Sequence, residues 1–151
     1  MAILEFIVVA LTLASVNTER VRNYRMCPNS DCLIYDMFID PCPEALYNKA
    51  CGWPRNSNTT VAFIYNPEFS AYSPKTQLYS ETFLVDWPFL NIDTNACLYT
   101  NCPVQKDTEQ YWLFNLFVPE YYETTYHIVK FVLTDTISNQ QCCFTFDINI
   151  I

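Results

Sequence analysis

Near the C-terminus the chain reads Phe144-Thr145-Phe146-Asp147-Ile148-Asn149-Ile150, and this stretch decides the fold class. Apolar side chains recur at every second position, with Thr145, Asp147 and Asn149 between them. A period of two describes a β-strand with one buried and one wet face. The same grammar extends outward. From His127 to Leu133, Val129, Phe131 and Leu133 share one side and Lys130 takes the other. From Thr60 to Tyr65, Val61, Phe63 and Tyr65 alternate. Leu33–Ile39, Leu78–Val85 and Tyr111–Val118 are further short runs of β-branched and aromatic residues. No stripe with a period of 3.6 runs between them. Several short strands separated by turn residues predict a sandwich or barrel.

The connections support this reading. Proline falls in Asp40-Pro41-Cys42-Pro43, Asn66-Pro67, Ser73-Pro74 and Trp87-Pro88, positions suited to strand edges and turns. The chain has 151 residues, 51% of them hydrophobic and 17% aromatic, which is ample material for one core. Its single glycine excludes a glycine-rich phosphate loop. The formal net charge of -8 argues against nucleic acid as a partner and against broad adhesion to anionic membranes, both of which rest on basic side chains.

Met1–Val16 is an apolar run ending in small residues and followed by Asn17-Thr18-Glu19-Arg20. It is too short to cross a bilayer comfortably and reads as a secretory signal over residues 1–16, leaving one domain over 17–151. All eight cysteines lie beyond it. An even number in an oxidising compartment predicts a disulfide framework without fixing its connectivity. Asn58-Thr59-Thr60 is an acceptor triplet for glycosylation at Asn58. His127 is the only histidine, no Gly-x-Ser-x-Gly elbow exists and the carboxylates are dispersed, so the residues predict neither an enzyme nor a cofactor or metal site.

The most distinctive segment is Ile92-Asp93-Thr94-Asn95-Ala96-Cys97-Leu98-Tyr99-Thr100-Asn101-Cys102-Pro103-Val104-Gln105-Lys106-Asp107. Its close cysteine pair, followed by Cys-Pro-Val-Gln-Lys-Asp, resembles the lipid-recognition (ML) domain family. The intervals Cys27–Cys42, with Asp40-Pro41-Cys42-Pro43, and Cys51–Cys97 are similar to the family's secreted sterol carriers. The run from Cys102 through Val118-Pro119 to Cys143 is closer to its mite-allergen branch. The resemblance covers Cys27 to Ile150. It implies an all-β, immunoglobulin-like β-sandwich of two antiparallel sheets, stapled by disulfides and lacking a catalytic site. It also implies the pairs Cys27–Cys143, Cys42–Cys51 and Cys97–Cys102. Cys32 and Cys142 depart from the family pattern. They either pair with each other or stay as buried thiols. Cys142 and Cys143 point to opposite faces of a regular strand, so pairing both with the Cys27–Cys32 segment requires a bulge or a strand end.

Two packed sheets normally fill the gap of about 10 Å between them with side chains. A carrier must leave apolar room there, and a lipid then gains roughly 25 cal/mol per Å² of apolar surface removed from water. The family's pocket positions fall on Ile39, Phe89 and Pro119, with Tyr122 as a mouth tyrosine. Alternation adds Met37, Phe63, Tyr65, Val129, Phe131, Leu133 and Phe146 as inward residues, and Trp87 sits two before Phe89. Ordinary core packing is the alternative for each of these, and for most of them the stronger one. Asp86, Trp87, Pro88 and Leu90 crowd the mouth. The function expected is a secreted or extracellular monomeric carrier of a sterol, fatty acid or similar lipid. The lysosomal lumen is an alternative location, and lipid presentation to a membrane-protein receptor or in defence is an alternative role.

Overall fold

The computed structural model describes residues 19–151, so the signal expected over Met1–Val16 lies outside the described residues. Ten strands follow in order: β1 (Glu19–Val21), β2 (Tyr24–Met26), β3 (Cys32–Asp40), β4 (Cys51–Trp53), β5 (Ser57–Pro67), β6 (Lys75–Glu81), β7 (Trp87–Pro88), β8 (Gln110–Val118), β9 (Tyr126–Thr134) and β10 (Gln141–Ile150). Single turns of 3-10 helix span Pro43–Tyr47 and Ala96–Leu98. One sheet has the order β1-β3-β5-β8. The other runs β2-β10-β9-β6-β7, with β4 also on β10. The two pack face to face as the expected β-sandwich.

The alternation of the sequence is the alternation of burial. In β5, Thr59, Val61, Phe63 and Tyr65 are buried; in β9, Val129, Phe131 and Leu133; in β10, Phe144, Phe146, Ile148 and Ile150. The apolar run Tyr111–Val118 alternates in burial although both faces are apolar: Trp112, Phe114, Leu116 and Val118 point inward, while Tyr111, Leu113 and Phe117 are exposed on the outer face. In β3 the parity changes midway. The register skips between Ile34 and Asp36, leaving a bulge at Tyr35. Cys32 and Ile34 face inward before it, Met37 and Ile39 after it. A bulged residue is what lets even and odd positions share one face.

Two expectations need correction. The sheets are antiparallel except for β4, which pairs parallel with β10 from Cys51↔Ile148 to Trp53↔Ile150. Cys42–Cys51 brackets the Pro43–Tyr47 turn and returns the chain from the end of β3 to the edge of the opposite sheet. The strand expected over Leu78–Val85 ends at Glu81. Thr82 closes a turn there, its Oγ1 accepting from the Val85 amide at 3.1 Å and donating to the Val85 carbonyl at 2.5 Å.

All eight cysteines are paired, as Cys27–Cys143, Cys32–Cys142, Cys42–Cys51 and Cys97–Cys102. The neighbours Cys142 and Cys143 do point to opposite faces, and β10 needs no bulge because they stand at its start. The Cys27 and Asp31 amides donate to the carbonyls of Cys143 and Gln141 at 3.0 and 2.7 Å, holding the segment along the strand edge. Cys27 therefore meets Cys143 on the outer side. Cys32, already on the opposite sheet, meets Cys142 through the interior.

Candidate functional site

The sandwich has two unlike ends. At the start of β10 the interior is full. Phe63 of β5 lies 5.0 Å from Phe131 and 5.0 Å from Phe144 of the opposite sheet, centroid to centroid, and 5.7 Å from Trp112. Trp112 in turn lies 4.9 Å from Phe131. Met37 pairs with Phe63, and Leu133 with Cys142, beside the inter-sheet disulfide. Tyr65 Oη and Thr100 Oγ1 share a buried hydrogen bond of 2.9 Å, and burial pushes the phenol up to about 12. Thr100 also donates to the Tyr111 carbonyl at 2.7 Å, so this bond ties the Cys97–Cys102 loop over the β8 edge. Phe146 packs between Phe144 and Trp53, at 6.0 and 6.2 Å. Of the residues expected to face inward, Met37, Phe63, Tyr65, Phe131, Leu133 and Phe146 thus touch one another or the framework.

The other end lies where β3, β8 and β10 finish and β5 and β9 begin. Backbone bonds Arg55–Ile151, Asn56–Val118 and Ile150–Thr125 knit it. Ile39 and Val61 face inward from one sheet, Val129 and Ile148 from the other. Phe89 is buried here although it belongs to no strand; its amide donates to the Leu78 carbonyl at 2.9 Å. Its ring is covered by Tyr122 at 5.4 Å and His127 at 5.1 Å. Tyr122 is half-buried, and its hydroxyl accepts from the Leu90 amide at 2.9 Å. Pro119 stands at the turn that delivers Tyr122, whose amide donates to the Pro119 carbonyl at 3.3 Å. The structure therefore brings Phe89, Pro119 and Tyr122 together at one end of the sandwich, with Ile39 at the same end of the facing sheet. A groove of about 330 Å³ runs outside, along Leu90–Asp93, Pro119 and Tyr121. Leu90 and Leu116 belong both to the groove and to the core, so solvent comes close to the interior there.

Trp87 does not share the face of Phe89. It is 62% exposed. The strand β7 is only two residues long and stops at Pro88, after which the chain turns inward and carries Phe89 beneath the sheet edge. With Phe83, Leu84 and Val85, Trp87 forms an exposed apolar hairpin tip in which Phe83 is 101% exposed. Lys130 holds the base of this tip through Asp86 at 2.7 Å and Glu81 at 3.3 Å, contacts that raise the lysine above its ordinary range.

The ML-domain family model matches residues 22–150. The chain belongs to the ML-domain family. It is 25% identical over 154 residues to an MD-2-related lipid-recognition protein of Manduca sexta, covering 99% of both chains. Its fold is similar to a Niemann-Pick type C2 protein from the Japanese carpenter ant, with TM-score 0.74, 17% identity, 85% of this chain and 98% of that one. The C-terminal domain of wzt is similar in fold at TM-score 0.56 and 12% identity, over 89% and 81%.

Reading the sequence missed two residues at this end of the sandwich, Ser80 and His127, and the backbone conformation of a third, Leu90. Leu90 sits in the left-handed region at φ 51°, which no side-chain pattern betrays. Ser80 and His127 face the interior, as the parity of Leu78 and of Val129-x-Phe131-x-Leu133 would have shown. His127 Nδ1 lies 3.0 Å from Ser80 Oγ. Burial lowers its pKa below the ordinary histidine range, with Glu123 pulling weakly the other way. Asn58, the acceptor expected for glycosylation, is exposed on β5.

Proposed function

We propose that this ML domain is a secreted carrier that holds an apolar lipid between its sheets at the Ile39–Phe89 end. The observation that carries the reading is the contrast between the ends. One is closed by rings in mutual contact and two bridges. The other is closed by Phe89 under His127 of β9 and the half-buried Tyr122, and the segments that carry Phe89 and Tyr122 are loops that can part without breaking a strand ladder. Four disulfides support secretion over a reducing compartment, in keeping with a signal over residues 1–16. They also hold the frame while the ligand end opens. Binding then rests on apolar area removed from water, roughly 25 cal/mol per Å². This chemistry uses no catalytic group.

Mass spectrometry of organic extracts of the purified protein identifies the cargo. Phe89→Trp tests the place. Trp at a yielding mouth leaves the melting midpoint of the free protein unchanged and weakens binding of a fluorescent fatty-acid or sterol probe. A lowered midpoint with unchanged probe binding makes Phe89 ordinary core, where overpacking costs about 1–3 kcal/mol, and moves the site elsewhere.

A second reading, presentation of the bound lipid to a receptor, is favoured by the exposed tip Phe83-Leu84-Val85 and Trp87 near this mouth. Single monomeric domains seldom display a contiguous apolar patch without a partner for it. Phe83→Asp with Leu84→Asp separates the readings: a pure carrier keeps both probe affinity and activity in cells, and a presenter keeps only the first.

A further inference from the structure

The inner faces of the sandwich carry four buried polar side-chain atoms with no hydrogen-bond partner among the described residues: Trp53 Nε1, Thr59 Oγ1, Trp112 Nε1 and His127 Nε2. Protein interiors normally satisfy such atoms. Trp112 lies among the rings of the full end. The other three belong to the opposite end. Trp53 pairs with Ile150, Thr59 stands two residues before Val61, and His127 pairs with Ile148. The imidazole is the best placed of them. Its Nδ1 is occupied by Ser80, its face rests on Phe89, and Nε2 is the free end of a fixed ring.

We propose that His127 Nε2 receives the polar head of the cargo, and that this head is an uncharged oxygen group, an alcohol, ester or carbonyl, on an apolar body. The inference rests on the carrier reading above and adds the ligand's chemical class and orientation. Ser80 can serve either tautomer. If its hydroxyl donates to Nδ1, then Nε2–H donates to a carbonyl. If it accepts from Nδ1–H, then Nε2 accepts a hydroxyl proton. A carboxylate fits less well. The groups around the mouth are three acids, Glu123 beside His127 and Asp93 and Glu120 on the flanking segments, and one cation, the exposed Arg55, whose guanidinium donates to the Glu120 carbonyl at 3.2 Å; Lys130 is engaged by Glu81 and Asp86 on the outer face. Burial also keeps the imidazole neutral, so His127 itself offers no positive charge to an anion.

The test is displacement of a naphthylamine probe by four chain-matched ligands: hexadecane, hexadecanol, hexadecyl acetate and palmitate. The wild type is expected to prefer the alcohol and ester over hexadecane by about tenfold, the worth of one buried hydrogen bond. His127→Phe is expected to erase that preference, bringing the alcohol-to-hexadecane ratio close to one. His127→Gln, whose amide can both donate and accept, recovers part of it, and Ser80→Ala weakens it without removing the ring. An alcohol-to-hexadecane ratio unchanged in His127→Phe overturns the assignment; should that variant not fold, an unchanged ratio in Ser80→Ala and His127→Gln does so. A wild-type preference for palmitate overturns the uncharged head. Failure of the wild type to bind the probe or any of the four ligands sinks the carrier reading itself, a result distinct from binding all four equally.

Discussion

The backbone amide of Leu90 donates a 2.9 Å hydrogen bond to the phenolic oxygen of Tyr122, and Leu90 makes it from the left-handed region at φ 51°. The other left-handed residues among those described are Asn48, Asn56, Asp107 and Asn139. Asn and Asp tolerate that conformation, and a chain with one glycine uses them for its turns. A leucine there costs on the order of 1–3 kcal/mol. The strain is held in the contact that closes the mouth over Phe89.

Tyr122→Phe keeps the ring on Phe89 and removes only the acceptor of the Leu90 amide. The expected loss of stability is about 0.5–1.5 kcal/mol, the net worth of one hydrogen bond. Probe dissociation is expected to quicken by more than association, because the latch opens more often. Stopped-flow release beside a urea melt measures both. Unchanged release with lowered stability would make the bond a structural tie without a role at the mouth.

Phe63→Ala addresses the full end. This ring touches partners from both sheets, so its removal leaves a cavity that neighbours locked by Cys32–Cys142 cannot collapse to fill. A cost of about 3–5 kcal/mol is expected in denaturant melts. Probe affinity of the folded fraction should change little, because the ligand lies at the opposite end. A large gain in probe binding would place cargo in the aromatic centre instead.

The two bridges at the start of β10 close nearly the same loop, with sequence separations of 116 and 110. With one intact, the other closes only a small ring. On the chain-entropy account, replacing either pair by alanine costs about 2 kcal/mol, and replacing both costs about 7 kcal/mol because the long loop is then released. A double-mutant cycle by urea unfolding reads the excess. Simple additivity would show that unfolded-state loop entropy is not how these bridges act.

Acid should weaken the fold in two steps. Burial holds the His127 pKa below 6.5, so the unfolded chain takes up the proton first. Stability is complete above 6.5 and declines as pH falls from there toward the native value. Asp135, held down by bonds from Ser138, and Asp147, held down by Arg25, lie below 3.8 in the folded protein. Their contribution is present above 3.8 and is lost as pH falls through the lower native values. Melting midpoints across this range should show both declines, and His127→Phe should erase only the upper one.

Alternation alone determined much of this protein. It marked which side chains of β5, β9 and β10 face inward, because a strand's period of two is local geometry that every residue pair repeats. The Cys97–Asp107 segment, with the cysteine intervals around it, carried the resemblance to the family, and that resemblance implied three of the four disulfides. The tertiary structure decided what depends on neighbours distant in the chain. It sent Trp87 to solvent and Phe89 inside, because two residues of edge strand ending in proline cannot propagate a face. It carried Cys32 to the opposite sheet and bulged Tyr35, so that Cys142 found its partner through the core. It assembled Ser80, Phe89, Tyr122 and His127, which come from β6, two loops and β9, at one end of the sandwich. A sequence records parity along a strand; which strands lie opposite, and which polar atom they leave without a partner, is fixed only when the two sheets close on each other.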